Sequence, residues 1–282
     1  MKKATTALIA LLGLVAFDLQ GQTVGNFDDI QFWTGSGTNR AALVLQWNDG
    51  ETPASLAWGY RWNGAATGFD MITAIAGAST ISDTGGTVVG TLGGSDPRIA
   101  LGMTRYGPSF DAVQSIAFSA TGGLRFQEGF NDPYWGYYVF GGTFEYFDWN
   151  TMDTATYSFT GNPSYADVLW LSSPVGAVDR PLSDGSWDAW NFGLFLAPAP
   201  VQQPQAAPLP VPALTFRWTG GNPEIGFSSV AGLSYQLSFT DNLGVAFAPM
   251  GKPVVATGGP MVFTDESSPR PPQRFYRIAV SP

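Results

Sequence analysis

The chain has 282 residues, 22 acidic against 13 basic, with no cysteine, no histidine, 35 Gly, 21 Pro, 20 Phe, 10 Trp and 10 Tyr. The absence of cysteine excludes a disulfide framework, a thiolate nucleophile, an iron–sulfur cluster and a lipid-bearing cysteine; the absence of histidine removes the usual base of serine or cysteine nucleophiles and the commonest imidazole metal ligand. A charged fraction of 12% beside so many aromatics excludes a disordered chain.

Met1-Lys2-Lys3 is a cationic start, and Ala4 to Phe17 is apolar, with Leu8, Ile9, Leu11, Leu12 and Leu14. Asp18 closes this run short of the about 20 residues that cross a membrane, so residues 1–22 are predicted to be a secretory signal peptide. The expected product is secreted or held at the cell surface, with no integral membrane segment.

From residue 23 the chain reads as strands. Ala41 to Trp47 is almost continuously apolar and stops at Asn48-Asp49-Gly50; Leu56 to Trp62 alternates and stops at Asn63-Gly64. Between them and the next strands one helix is predicted. Thr67 is its N-cap, Asp70 closes a variant capping box, and Ile72, Ile75, Ala76 and Ser79 share a face. Further strands are predicted at 87–92, 99–104, 115–119, 137–140, 143–147, 155–159 and 168–171. The expected architecture is all-β, an antiparallel sandwich or barrel over 23–196 with one short helix.

Residues 197–212 hold six prolines and no charge, the composition of an extended linker. Charge divides there too. The segment before it carries 17 acids, six arginines and no lysine, a net of −11, and residues 213–282 carry a net of +1. An acidic domain without a basic stripe is a poor partner for nucleic acid or anionic lipid. Six short strands in 213–282 fit a small immunoglobulin- or fibronectin-like sandwich.

Trp58, Tyr60 and Trp62 fall on one face of a strand and span roughly 13 Å, a spacing suited to a stack of sugar rings or another flat ligand; the competing reading is that they fill a core. Ten aromatics occur in 130–149, from Phe130 to Trp149. Two strands cannot hide ten rings on one face, so either both faces are covered or a patch stays open. Tyr134, Trp135 and Tyr137 are the candidate ligand contacts there. Asp148, Asn150 and Asp153 are a candidate Ca²⁺ site, although Asp and Asn are also ordinary turn formers. Carboxylate pairs such as Asp49 with Glu51, or Glu128 with Asp132, suit glycosidase chemistry only if they face one cleft. No catalytic motif accompanies them, and a non-enzyme is expected.

Two stretches carry resemblances. Phe227 to Leu237, Thr240-Asp241-Asn242-Leu243 and Gln273 to Ile278 resemble the fibronectin-like modules that end many secreted bacterial proteins, which implies a spacer or attachment role. Asn39-Arg40-Ala41-Ala42-Leu43-Val44, Gln46-Trp47-Asn48-Asp49-Gly50, Trp58-Gly59-Tyr60-Arg61-Trp62 and Asp184-Gly185-Ser186-Trp187-Asp188 look like a family of exported bacterial surface proteins. Some relatives of that family are implicated in corrinoid capture. The resemblance implies extracellular binding, with a glycan, a corrinoid-like molecule or a cell-surface component as partner. A structural or adhesive matrix protein without small ligand, and a carboxylate-dependent glycan hydrolase, are the other classes the residues allow.

Overall fold

A computed structural model describes residues 21–82, 87–106, 110–120, 123–129, 131–148, 150–159, 164–195, 200–267 and 273–282. The predicted signal peptide, as far as residue 20, lies outside them, as do Phe130 and Trp149. The chain forms two compact units, one ending at Pro208 and the other Leu209–Pro282.

The fold is all-β with one short helix. The larger unit has strands β1 (Trp33–Gly35), β2 (Asn39–Gln46), β3 (Ser55–Trp62), β4 (Ala76–Ser82), β5 (Val88–Leu92), β6 (Asp96–Tyr106) and β7 (Phe110–Ala120). They are followed by β8 (Gly123–Glu128), β9 (Tyr134–Phe140), β10 (Gly142–Asp148), β11 (Asp153–Phe159), β12 (Leu171–Ser172), β13 (Ser186–Gly193) and β14 (Gln205–Ala206). One sheet runs β1-β3-β2-β13-β9-β12, a second runs β5-β4-β6-β7-β8, and β10-β11 is a separate hairpin.

The first sheet is covered on both faces, which is why β2 is a nearly unbroken apolar run rather than an alternating one. On its outer face Val24, Phe27 and Ile30 pack against Ala42, Val44, Ala57, Phe140, Trp187 and Ala189. On its inner face lies the second sheet: Trp58 meets Phe118 edge-on with ring centroids 5.7 Å apart. Trp47 lies 5.8 Å from the same ring and donates its indole N–H to the Ile116 carbonyl at 3.1 Å. The pairing is mixed, not purely antiparallel: β13 runs parallel to β2, β4 to β6, and both β1 and β14 to β3. Each parallel partner arrives through a long connection, as parallel pairing requires.

The helix, α1 (Gly68–Ile75), begins as its sequence dictates: the Thr67 side chain accepts from the Asp70 N–H, and Asp70 accepts from the Thr67 N–H at 2.8 Å. It ends earlier than its periodicity suggests. Ala76, at φ −108 and ψ 134, turns straight into β4, so Ala76 and Ser79 are strand residues. Pairing with β5 and β6 on both sides outweighs one more helical turn through Gly77 and the β-branched Thr80 and Ile81.

The proline-rich stretch departs from expectation over 200–208. There the chain continues the edge that β1 leaves on β3: Val24 N–H donates to the Pro204 carbonyl, Ala207 N–H to the Ala57 carbonyl, and Gln202 N–H to Gln46 Oε1 at 2.7 Å. Ala206 and Ala207 are wholly buried. Proline is tolerated because an edge strand can leave one N–H position unused.

In the smaller unit β15 (Thr215–Thr219), β16 (Asn222–Ser229) and β20 (Gly259–Thr264) make one sheet. β17 (Ser234–Thr240) pairs with β18 (Ala248–Pro249), β19 (Val254–Val255) and β21 (Phe275–Ser281) in the other. Ile225, Leu237 and Tyr276 join Phe216, Phe239 and Phe263 between them. Arg274 locks the edge, reaching Asp241 at 2.7 Å and Asp265 at 2.9 Å over the Phe239 ring, while Tyr276 donates to Asp265 at 2.7 Å. Burial alone would raise Asp265; its hydrogen bonds from Ser267, Tyr276 and Arg274 win and hold the carboxyl at about 2.

Candidate functional site

Strand β9 sorts its aromatics by the two-residue period of a strand. Trp135 and Tyr137 turn inward. Trp135 is 4% exposed, donates its indole N–H to the Gln127 carbonyl at 3.2 Å and meets Trp47 edge-on at 6.3 Å. Tyr137 stacks on Trp190 at 4.7 Å and donates to Asp188 Oδ2 at 2.5 Å. Both therefore serve the interior, Trp135 as core and Tyr137 as a polar link.

Tyr134, Gly136 and Tyr138 take the outer face. Both tyrosines are half-buried and lean over the glycine: a Cβ built at Gly136 would lie 2.9 Å from Tyr138 Cε2 and 3.4 Å from Tyr134 Oη. Across the ladder Gly136 pairs with Asn191, and Asn191 with Gln46. Asn48 ties this row together. At φ 51, it donates Nδ2 to Asn191 Oδ1 and to the Phe192 carbonyl, each at 2.6 Å, and accepts from Gln46 Nε2 at 2.7 Å. Asn48 itself is exposed. Phe195, 64% exposed, lies 5.7 Å from Tyr134, its N–H held by Asp132 Oδ1 at 3.2 Å. Burial raises the Tyr138 phenol, with Tyr134 adding to the effect, so Tyr138 remains an O–H donor at neutral pH.

This surface joins aromatic faces, phenolic hydroxyls and a carboxamide, groups that can stack on an apolar ring face and bond its hydroxyls. Of its members only Tyr134 was singled out from sequence. Tyr138, Phe195 and Asn48 were missed, and the signal that identifies Tyr138 is its alternation with Tyr134 across a glycine.

The other predicted platform, on β3, is mostly interior. Trp58 is 0% exposed and donates to Asp96 Oδ2 at 2.9 Å; Trp62 is 4% exposed and stacks on Tyr60 at 5.5 Å. Tyr60 alone of the three escapes full burial, its phenol raised by burial and by the Asp70 charge. Arg61, on the opposite face, lies 4.6 Å from the Trp33 ring centroid.

The buried charges form struts. Arg180 and Asp188 are both out of solvent, with Arg180 Nε 3.4 Å from Asp188 Oδ1, and Arg180 also donates to the Pro181 carbonyl at 2.9 Å and the Gly141 carbonyl at 2.5 Å. Burial raises the Asp188 carboxyl, opposed by Arg180 and Tyr137. Asp188 lies in β13, at the centre of the sheet. Asp49 accepts a two-pronged bond from Arg125 at 2.8 and 2.6 Å over the Trp47 ring. Burial would raise Asp49; the Arg125 guanidinium and the backbone N–H bonds to the carboxyl together outweigh it and hold it below its ordinary value. Glu128 is exposed at the end of β8, and Asp132 is engaged with the Phe195 N–H.

Asp148, Asn150 and Asp153 lie together at the β10–β11 turn, where Asp148 Oδ1 accepts the Asn150 N–H at 2.9 Å and Asp153 Oδ1 the Thr154 N–H at 2.7 Å. Both aspartates thus bond the backbone of the turn. Among the described residues no group of three or more His, Cys, Asp or Glu side chains is placed to hold a metal ion.

No protein-family model, no curated protein and no solved structure matches this chain.

Proposed function

We propose that the larger unit is a non-enzymatic extracellular binding module that takes a neutral glycan on the surface formed by Tyr134, Tyr138, Phe195 and Asn48. The observation that carries this reading is the pair of tyrosines leaning together over Gly136, across the ladder from the Asn191 that Asn48 holds. A sugar ring offers an apolar face to the phenols and hydroxyls to the polar edge.

The charge arrangement favours a neutral ligand. Residues 23–196 contain no lysine, and Arg40, Arg98, Arg125 and Arg180 are paired with Asp28, Asp96, Asp49 and Asp188. In a unit of net charge −11 an anionic sugar meets net repulsion.

The test is calorimetric titration of the protein with neutral oligosaccharides, with uronic-acid oligosaccharides and a corrinoid as competing ligand classes. Tyr134→Ala and Tyr138→Ala should each weaken binding several-fold, from about 1 kcal/mol per lost ring contact. Gly136→Ala should weaken it as well, because its methyl displaces Tyr138. Binding that survives the double tyrosine variant unchanged refutes the site; saturable binding of the corrinoid alone refutes the ligand class.

A further inference from the structure

An asparagine or aspartate followed by glycine is where a backbone nitrogen reaches a side-chain carbonyl most freely, because glycine carries no Cβ to obstruct the approach. The chain has such steps at Asp49-Gly50, Asn63-Gly64 and Asp184-Gly185. The fold locks the two aspartyl steps. Asp49 gives both carboxylate oxygens to Arg125, at 2.8 and 2.6 Å. Asp184 Oδ1 accepts the Arg40 N–H at 2.8 Å, and the Gly185 N–H is itself engaged by the Arg40 carbonyl at 2.9 Å. A carboxylate is also a poorer acyl electrophile than a carboxamide.

Asn63-Gly64, just past the Asn39–Trp62 pair that closes the β2–β3 ladder, is arranged differently. Both residues are exposed, and a Cβ built at Gly64 meets nothing within 4 Å. Among the described residues the Gly64 N–H has no hydrogen-bond partner. The Asn63 carboxamide is held at one end: Oδ1 accepts the Thr38 N–H at 3.2 Å and the Thr38 hydroxyl at 3.4 Å, while Nδ2 has no acceptor among the described residues. Those donors face the oxygen on which negative charge develops as Cγ becomes tetrahedral, and the uncommitted end is the one that leaves.

We propose that Asn63 is a site of spontaneous modification, converted by its own backbone to aspartate and isoaspartate. The Gly64 nitrogen gives its proton to solvent hydroxide and bonds to Asn63 Cγ; the Cγ–Nδ2 bond breaks, and ammonia departs with a proton from water to leave a cyclic imide. Water then opens the ring. Cleavage between Cγ and the Gly64 nitrogen leaves aspartate in the ordinary chain, and cleavage between the Asn63 backbone carbonyl and that nitrogen leaves the chain running through Cγ as isoaspartate. Either product adds a negative charge at this turn, and isoaspartate also lengthens the backbone by a methylene. This inference stands on the Asn63 turn and is independent of the glycan reading.

The test is incubation of the purified chain at mildly alkaline pH, followed by peptide mapping with mass spectrometry and electron-transfer fragmentation to tell isoaspartate from aspartate. The peptide carrying Asn63 should gain the mass of an amide-to-acid change ahead of every other asparagine, with isoaspartate among its products. The rate should rise with pH, because the attacking nitrogen must lose its proton. Gly64→Ala, whose methyl obstructs the approach, should slow the conversion many-fold, as should Asn63→Gln, whose longer side chain must close a larger ring. Conversion at Asn63 no faster than at the remaining asparagines overturns the proposal. So does conversion without isoaspartate, or a rate indifferent to Gly64→Ala.

Discussion

Replacing Gly68 by alanine sets two local rules against each other. Gly68 is the first residue of α1, where alanine is intrinsically better than glycine by up to about 1 kcal/mol. Space decides otherwise. The new Cβ would stand 2.1 Å from Tyr137 Oη and 2.6 Å from Asp188 Oδ2, the two atoms of a buried hydrogen bond. Either that bond opens, leaving a buried acceptor short of a donor at about 1–3 kcal/mol, or the helix shifts, at about 1–3 kcal/mol of overpacking. Set against the alanine gain, the expected net loss is about 0–3 kcal/mol. Tyr137→Phe removes Oη and by itself should cost about 1–3 kcal/mol for the same orphaned carboxylate. The double variant should cost about 1–2 kcal/mol less than the sum of the two, because the hydrogen bond is lost only once. Urea unfolding read by tryptophan emission measures this, since nine of the ten tryptophans lie in 23–196. A Gly68→Ala protein more stable than wild type, or additivity within about 0.5 kcal/mol, refutes the packing argument.

Arg180→Met leaves Asp188 charged and buried without its partner, and should cost about 3–5 kcal/mol in the same assay; in an Asp188→Asn background the cost should fall by more than half, and an undiminished cost shows that the guanidinium acts through its carbonyl bonds instead. In the smaller unit the folded carboxyl of Asp265, at about 2, lies below that of an ordinary aspartate, so its stabilisation is fully present above the unfolded value and is lost as pH falls through the folded one. Roughly 2 kcal/mol should disappear between about pH 5 and pH 2. Calorimetry should find that Asp265→Asn lowers that unit's transition at pH 6 and flattens its fall with acid; an unchanged acid dependence assigns the effect to other carboxyls.

Features built from neighbours in the chain were legible in advance. The Thr67–Asp70 capping box places the start of α1 because an N-cap is satisfied within three residues. The apolar runs of β2 and β3 show as strands because their pattern is continuous or two-periodic over seven or eight residues. Strand β13 was not legible. Ser186, Asp188 and Asn191 interrupt its apolar pattern, and the burial of the last two depends on distant partners, Tyr137 for Asp188 and Asn48 for Asn191. The proline-rich 200–208 stretch misleads for the converse reason: its composition forbids a central strand, yet the open edge of β3 accepts it.

The sequence by itself determined that this is an all-β protein with one helix, and that the aromatics of β9 divide between two faces, because capping and alternation act over a few residues. Tertiary structure decided which face is which. Trp135 and Tyr137 go inward because Trp47, Gln127, Trp190 and Asp188 stand there to pack them and accept their N–H and O–H groups. Tyr134 and Tyr138 are left outside beside Asn48, whose bond to Asn191 spans 143 positions of chain. Contacts at that separation depend on which strands meet, and no local periodicity carries that information.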